Sequence, residues 1–129
     1  MKRFVMVLAM VFGVMVGQAF GQNLDLLTKE EQAEAKTSGE RFTELLITMD
    51  WVERTKFLDY YTDPDETDEQ YIKIKGILLE MDRLARRMDR LMRKAGVTDT
   101  KVQPLLTQIA VDQVILETSY LNAKLRMGY

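Results

Sequence analysis

Arg83, Arg87, Arg90 and Lys94 recur at i, i+4, i+7 and i+11, with Arg86 and Arg93 on either side. On an α-helix that spacing is one continuous basic stripe. Guanidinium groups there can pair with carboxylates through paired N–H donors and can stack on exposed aromatic rings. The chemistry such a stripe offers is therefore non-covalent capture of acidic or unfolded protein segments, helped by electrostatic attraction during encounter. Asp82 and Asp89 stand four residues before Arg86 and Arg93 and can neutralise part of it. The plainer alternative is a solvated helix face whose cations favour the negative end of the helix dipole.

Other chemistry is poorly supplied. The chain contains no His and no Cys. Nucleophilic systems built on a Ser–His or Cys–His pair are therefore absent, and zinc and most copper sites lose their usual ligands. The acidic run DPDETDEQYIKI places Asp63, Asp65 and Thr67 at alternate positions, as a calcium loop does. It lacks the turn glycine at position six, and Ile74 stands where the bidentate Glu belongs. An acidic first turn at a helix N-terminus accounts for it better. Met81, Met88 and Met92 fall at apolar helical positions and read as core fillers. No catalytic residue, metal ligand or cofactor is expected, and an enzyme is not the expected class.

The chain begins MKRFVMVLAMVFGVMVGQAFGQ. Lys2 and Arg3 precede an apolar run from Phe4 to Val16, and Ala19-Phe20-Gly21 offers small residues for cleavage. This is the pattern of a secretory signal peptide over residues 1–21, and the apolar run is short for a membrane-spanning helix. The expected location is the periplasm. Residues 22–129 then form one small helical domain, with 16 basic against 20 acidic side chains. With no disulfide to staple it, a domain of this size must rely on helix packing or on a second copy. Nucleic acid is not an expected partner of an acidic secreted chain. A membrane surface is not favoured either, because no free amphipathic face backs the basic stripe.

Helical spacing positions these side chains on three elements. The first is expected over Thr28 to Tyr61. Thr28 and Glu31 form a capping box, Ser38-Gly39 suggests a bend, and Phe42, Leu45, Leu46, Met49, Val52, Phe57 and Tyr60 make the apolar face. The second runs from the DPDETDEQ segment to Ala95, with Gly96 as its stop. Its heptad is regular: Ile74, Met81 and Met88 at a, Ile77, Leu84 and Leu91 at d, Leu78, Ala85 and Met92 at e. The third is expected from Thr98 or Asp99 almost to the end, facing inward through Val102, Leu106, Ile109, Leu116, Tyr120 and Ala123. The fold class is all-α, a three-helix antiparallel hairpin or bundle that self-associates.

Two helices carry more apolar residues than one core requires. Ile47, Trp51 and Leu58 lie opposite the first helix's core face, and Val111, Val114, Leu121 and Leu125 form a second stripe on the last. Surplus stripes of this kind mark a partner surface. The candidate partner-binding residues are therefore Arg83, Arg87, Arg90 and Lys94 for charge, with Ile47, Trp51 and Leu58 for apolar contact.

The order of features resembles the small periplasmic all-helical proteins grouped around Spy, CpxP and the heavy-metal-resistance sensors. Leu27-Thr28-Lys29-Glu30-Glu31-Gln32 is similar to their LTxxQ motif, with Gln one place late. An Arg-rich helix, a break at Gly96-Val97-Thr98-Asp99 and a final long helix follow in the same order. No His is present for metal sensing. The resemblance implies a helical hairpin that dimerises into a curved cradle and acts as an ATP-independent chaperone. Only Arg83, Arg87, Arg90 and the apolar stripes carry across to its basic and apolar inner surface. The expected function is thus a chaperone-like or envelope-stress-related binding protein that takes a protein partner or unfolded client and forms a homodimer. The alternative is a structural or adaptor subunit of an envelope assembly.

Overall fold

A computed structural model describes residues 26–54, 58 and 61–128; for 51–54 it describes the backbone alone. Residues 1–21, where a leader is expected, lie outside the described residues, as do the side chains of Trp51, Val52, Phe57 and Tyr60. The described residues form three helices, α1 (Lys29–Arg54), α2 (Pro64–Lys94) and α3 (Gln103–Arg126), and α2 packs along both others. The all-α, antiparallel three-helix architecture expected from the helical spacing is what the chain forms.

The start of α1 is set by the capping box. The Thr28 N–H donates to Glu31 Oε1 at 3.0 Å, and the Glu31 N–H donates to Thr28 Oγ1 at 3.1 Å. Two otherwise orphaned donors are satisfied by that exchange. Ser38-Gly39 does not break the helix, which is continuous through it. Ser38 is buried, and Gly39 faces the Met88 methyl of α2, where an added Cβ would make an ordinary contact at 3.9 Å. Helix α1 also ends earlier than Tyr61. Its described span closes at Arg54, and a tight turn at Leu58 follows, held by Tyr61 N–H to Leu58 O at 3.1 Å. Asp63 is already extended, as the residue before a proline must be.

Asp63 then caps α2, accepting the Asp65 N–H at 3.0 Å, with Pro64 at the first helical position. The acidic run is therefore a helix start, with Thr67 buried and bonded back to the Asp63 carbonyl. The heptad is buried at every a and e position and at Leu84 and Leu91, with Ile77 packed at the core edge. At the far end Gly96 adopts φ of 93°, and two bonds, Gly96 N–H to Arg93 O and Val97 N–H to Met92 O, close the helix at 3.0 Å each. This is the left-handed cap that glycine alone adopts without steric cost.

Helix α3 starts at Gln103, later than Thr98 or Asp99. Lys101 stands at φ 59°, which a helix does not accept, and Thr100 is buried with its hydroxyl donated to Asp89 of α2. Thr100 is thus a tether between helices, and the helix begins only after it. Val102, Ile109, Leu116 and Ala123 are buried as expected, Leu105 joins them, and Leu106 and Tyr120 are half-buried. Among the described residues, no helix is long and apolar enough to cross a membrane.

Candidate protein-binding surface

The basic stripe divides in two. Arg87 Nε lies 2.8 Å from Glu34 Oε1, and Lys94 Nζ lies 2.7 Å from Glu31. Both bridges clamp the C-terminal half of α2 to the first turns of α1. Lys94 is the chief cause that holds the Glu31 carboxyl below its ordinary range, with the Thr28 N–H second. Arg86 and Arg93 pair with Asp82 and Asp89 at 3.0 and 3.1 Å, as their spacing requires. Arg83 and Arg90 are exposed and form no ion pair among the described residues. Of the four stripe residues, these two are bridged to no carboxylate among the described residues, although Arg83 adds to the field that holds the Glu80 carboxyl down.

The apolar candidates also separate. Ile47 is 67 % exposed on α1. Leu58 is fully buried at 0 %, because the turn that follows α1 folds it into the core; it cannot contact a partner. The side chain of Trp51 lies outside the described residues. On α3 the second stripe is open, with Val114, Leu121 and Leu125 between 59 and 65 % exposed and Val111 at 45 %.

Two residues that spacing alone did not bring forward complete the surface. Ile72 and Leu79 are large, apolar and exposed on α2. They precede Arg83 and Arg90 at i, i+7, i+11 and i+18, so the four share one face about 27 Å long, at 1.5 Å per residue. Their heptad signal lay outside the a, d and e set and so read as solvent positions. Beside them a groove of about 550 Å³ opens between α2 and α3, lined by Lys75, Leu79, Ala110, Val114, Glu117 and Thr118.

The two helices that form this groove are joined by a crossed clasp. The Tyr71 and Tyr120 rings stack with centroids 3.9 Å apart and planes at 15°. Tyr71 Oη donates to Glu117 at 2.7 Å, and Tyr120 Oη donates to Asp68 at 2.6 Å. Lys75 sits over the Tyr71 ring and Lys124 over the Tyr120 ring, each with its ammonium facing the opposite helix's acid. The origin is a repeated pattern, acid-x-x-Tyr-x-x-x-Lys: Asp68, Tyr71 and Lys75 on α2, Glu117, Tyr120 and Lys124 on α3. Antiparallel packing relates the two copies by a local twofold axis. Lys124 and then Tyr120 hold the Asp68 carboxyl down, and the Asp68 carboxylate in turn raises the Tyr120 hydroxyl. This clasp is held closed by its own pairs, so its chemistry is structural and fixes the groove's width.

Among the described residues no three carboxylates converge closely enough to hold a metal ion. Comparison with protein-family models, curated proteins and solved structures finds no match to this chain.

Proposed function

We propose that this protein binds non-native segments of other proteins, without nucleotide and without a covalent step. The observation that carries this reading is the outer face of α2, where Ile72 and Leu79 stand open in line with the unpaired Arg83 and Arg90. An apolar stretch continued by unpaired guanidinium groups suits chains that expose both aliphatic side chains and carboxylates or aromatic rings. Neither contact demands a fixed sequence, so affinity is modest and partners are many. The leader pattern at residues 1–21 favours the periplasm as the compartment, where such a holdase works without ATP.

The test is an aggregation assay with a reduced model client at stoichiometric amounts. The unaltered chain is expected to delay aggregation, and the double substitution Arg83→Glu, Arg90→Glu to abolish most of that delay while leaving helicity intact. Leu79→Asp should act in the same direction. Equal protection by all three proteins, or none by any, rules the proposal out. A pull-down that recovers one stoichiometric protein in place of a broad weak set decides for the adaptor role instead.

A further inference from the structure

The outer face of α3 has a property that a surface for many clients does not need. Thr107, Val111, Val114, Thr118, Leu121 and Leu125 are all exposed and follow one another at intervals of 4, 3, 4, 3 and 4. That is an uninterrupted heptad seam on the side of the helix opposite the core. It contains no charge. One flank, formed by Gln108, Ile115 and Asn122, contains none either. Apart from this seam, α3 already buries Leu105, Ile109, Leu116 and Ala123 on its inner side, so the helix is apolar on two faces.

We propose that this seam is the interface between two copies of the chain, with their α3 helices antiparallel about a twofold axis at the level of residue 116. Side-chain size selects the direction. The seam is thin at its N-terminal end, at Thr107, and thick at its C-terminal end, at Leu121 and Leu125. A parallel pair would set Thr against Thr at one end and Leu against Leu at the other, which splays the helices. The antiparallel pair sets Thr107 against Leu125 of the second copy and Val111 against its Leu121, and Val114 meets Thr118 across the axis. Ile115 meets its own counterpart beside the axis, which covers a half-open apolar side chain. The charged flank is compatible with this. Glu117, the acid nearest the axis, has Lys75 Nζ 3.5 Å away, so the two copies bring up neutralised pairs and not bare carboxylates.

Size sets the strength. The seam is about 27 Å long, and with the adjoining edge of α2 at Leu79 it is roughly two helix diameters, about 20 Å, wide. The projected contact is on the order of 500 Å² per copy, so about 1,000 Å² for the pair, which is the lower bound for a specific interface. A contact at that lower bound is the size of a reversible association, so the dimer should depend on protein concentration.

Because the chain has no cysteine, one introduced thiol reports on its own neighbour. In the full chain, Ile115→Cys is expected to form a disulfide dimer at least ~10-fold faster than Thr107→Cys or Leu125→Cys alone, and the Thr107→Cys, Leu125→Cys double variant to cross-link readily. Sedimentation between roughly 1 and 100 µM should show a monomer–dimer equilibrium that Val114→Lys shifts toward monomer by more than ~10-fold, because each copy then buries an unpaired charge against Thr118 of the other in an apolar seam, with helicity unchanged. Leu125→Cys cross-linking as fast as Ile115→Cys would overturn the antiparallel arrangement. A monomer at every concentration, or Ile115→Cys cross-linking only when client protein or anionic vesicles are added, would overturn the dimer. Val114→Lys leaves Arg83 and Arg90 in place, and the Arg83→Glu, Arg90→Glu variant leaves the seam in place, so this pair, unlike Leu79→Asp at the edge of both surfaces, reads loss of dimer and loss of client protection separately.

Discussion

Tyr71 and Tyr120 stack at 3.9 Å between centroids where α2 crosses α3, and each hydroxyl bonds an acid on the opposite helix. Two rings in this arrangement contribute beyond their buried area, by about 0.5–1.5 kcal/mol in aromatic pairs. Each hydroxyl adds a hydrogen bond to a charged acceptor. The clasp thus joins the two helices near the open end of the hairpin, far from the Thr100–Asp89 tether.

A double-mutant cycle should expose that coupling. Tyr71→Ala and Tyr120→Ala are each expected to destabilise the fold, and the double variant to cost less than their sum by about 0.5–1.5 kcal/mol. Tyr120→Phe keeps the stack and loses only the bond to Asp68, so its melting temperature should fall by a few degrees, about 4–8 °C per kcal/mol for a domain this size. Thermal unfolding followed by circular dichroism measures all four. Strict additivity of the two alanine substitutions would show that the rings do not act as a unit.

Acid should open the same clasp. The Asp68 carboxyl is held below its ordinary value, first by Lys124 and then by the Tyr120 hydroxyl. A carboxyl depressed in the folded state favours folding above its unfolded value, near 3.9, and that contribution disappears as pH falls through the folded value. Glu31, with Lys94, and Glu80, with Arg41, are shifted in the same direction for the same kind of reason. Stability should therefore be flat from neutral pH to about 5 and fall below about 4. In Lys124→Met the fall should be shallower, because Asp68 then titrates more nearly as it does in the unfolded chain. Chemical denaturation at a series of pH values tests this, and an unchanged slope in Lys124→Met would remove Asp68 from the explanation.

Asp112 runs the other way. Burial raises its carboxyl above the ordinary value, opposed only by the Gln108 amide, which donates to Oδ1 at 2.9 Å. A raised folded value means that the group favours folding below its unfolded value and that this contribution is lost as pH rises through the folded one. At neutral pH the ionised carboxylate is therefore a cost. Asp112→Asn keeps an acceptor for Gln108 and removes the charge, so it should raise the melting temperature at pH 7 and change little near pH 3. A lower melting temperature at pH 7 would mean that the carboxylate has a partner that offsets its burial.

The three helices were legible because α2 repeats its a, d and e pattern from Ile74 to Met92 and because Thr28, Asp63 and Gly96 are local stop and start signals whose chemistry needs no tertiary context. The boundary of α3 was not, since Thr98 and Asp99 look like caps until Thr100 is seen bonded to Asp89 on another helix. The split of the basic stripe was hidden for the same reason: Glu31 and Glu34 lie far from Lys94 and Arg87 in sequence, and only the antiparallel packing of α1 on α2 brings them together. Ser38-Gly39 shows the converse case. Two residues with weak helix propensity stay helical inside a long helix that packs on α2, where an intrinsic cost of about 1 kcal/mol for glycine is small beside the packing of the whole face.

Leu58 separates a core role from a surface role most sharply. By pattern alone it belongs to an outward stripe with Ile47, yet it is fully buried beneath the turn that follows α1 while Ile47 is two-thirds exposed. Truncating a fully buried leucine loses both its transfer free energy and the packing around the cavity left behind, about 2–5 kcal/mol together. Leu58→Ala should therefore lower the denaturation midpoint severely, and any loss of client protection should track the unfolded fraction. Ile47→Ala should leave stability within about 0.5 kcal/mol, as surface substitutions do. Urea titration of both variants beside the aggregation assay decides the matter. If Leu58→Ala kept full stability and lost protection, the side chain would have to be at the surface, and the path of the chain between α1 and α2 would differ from the one described.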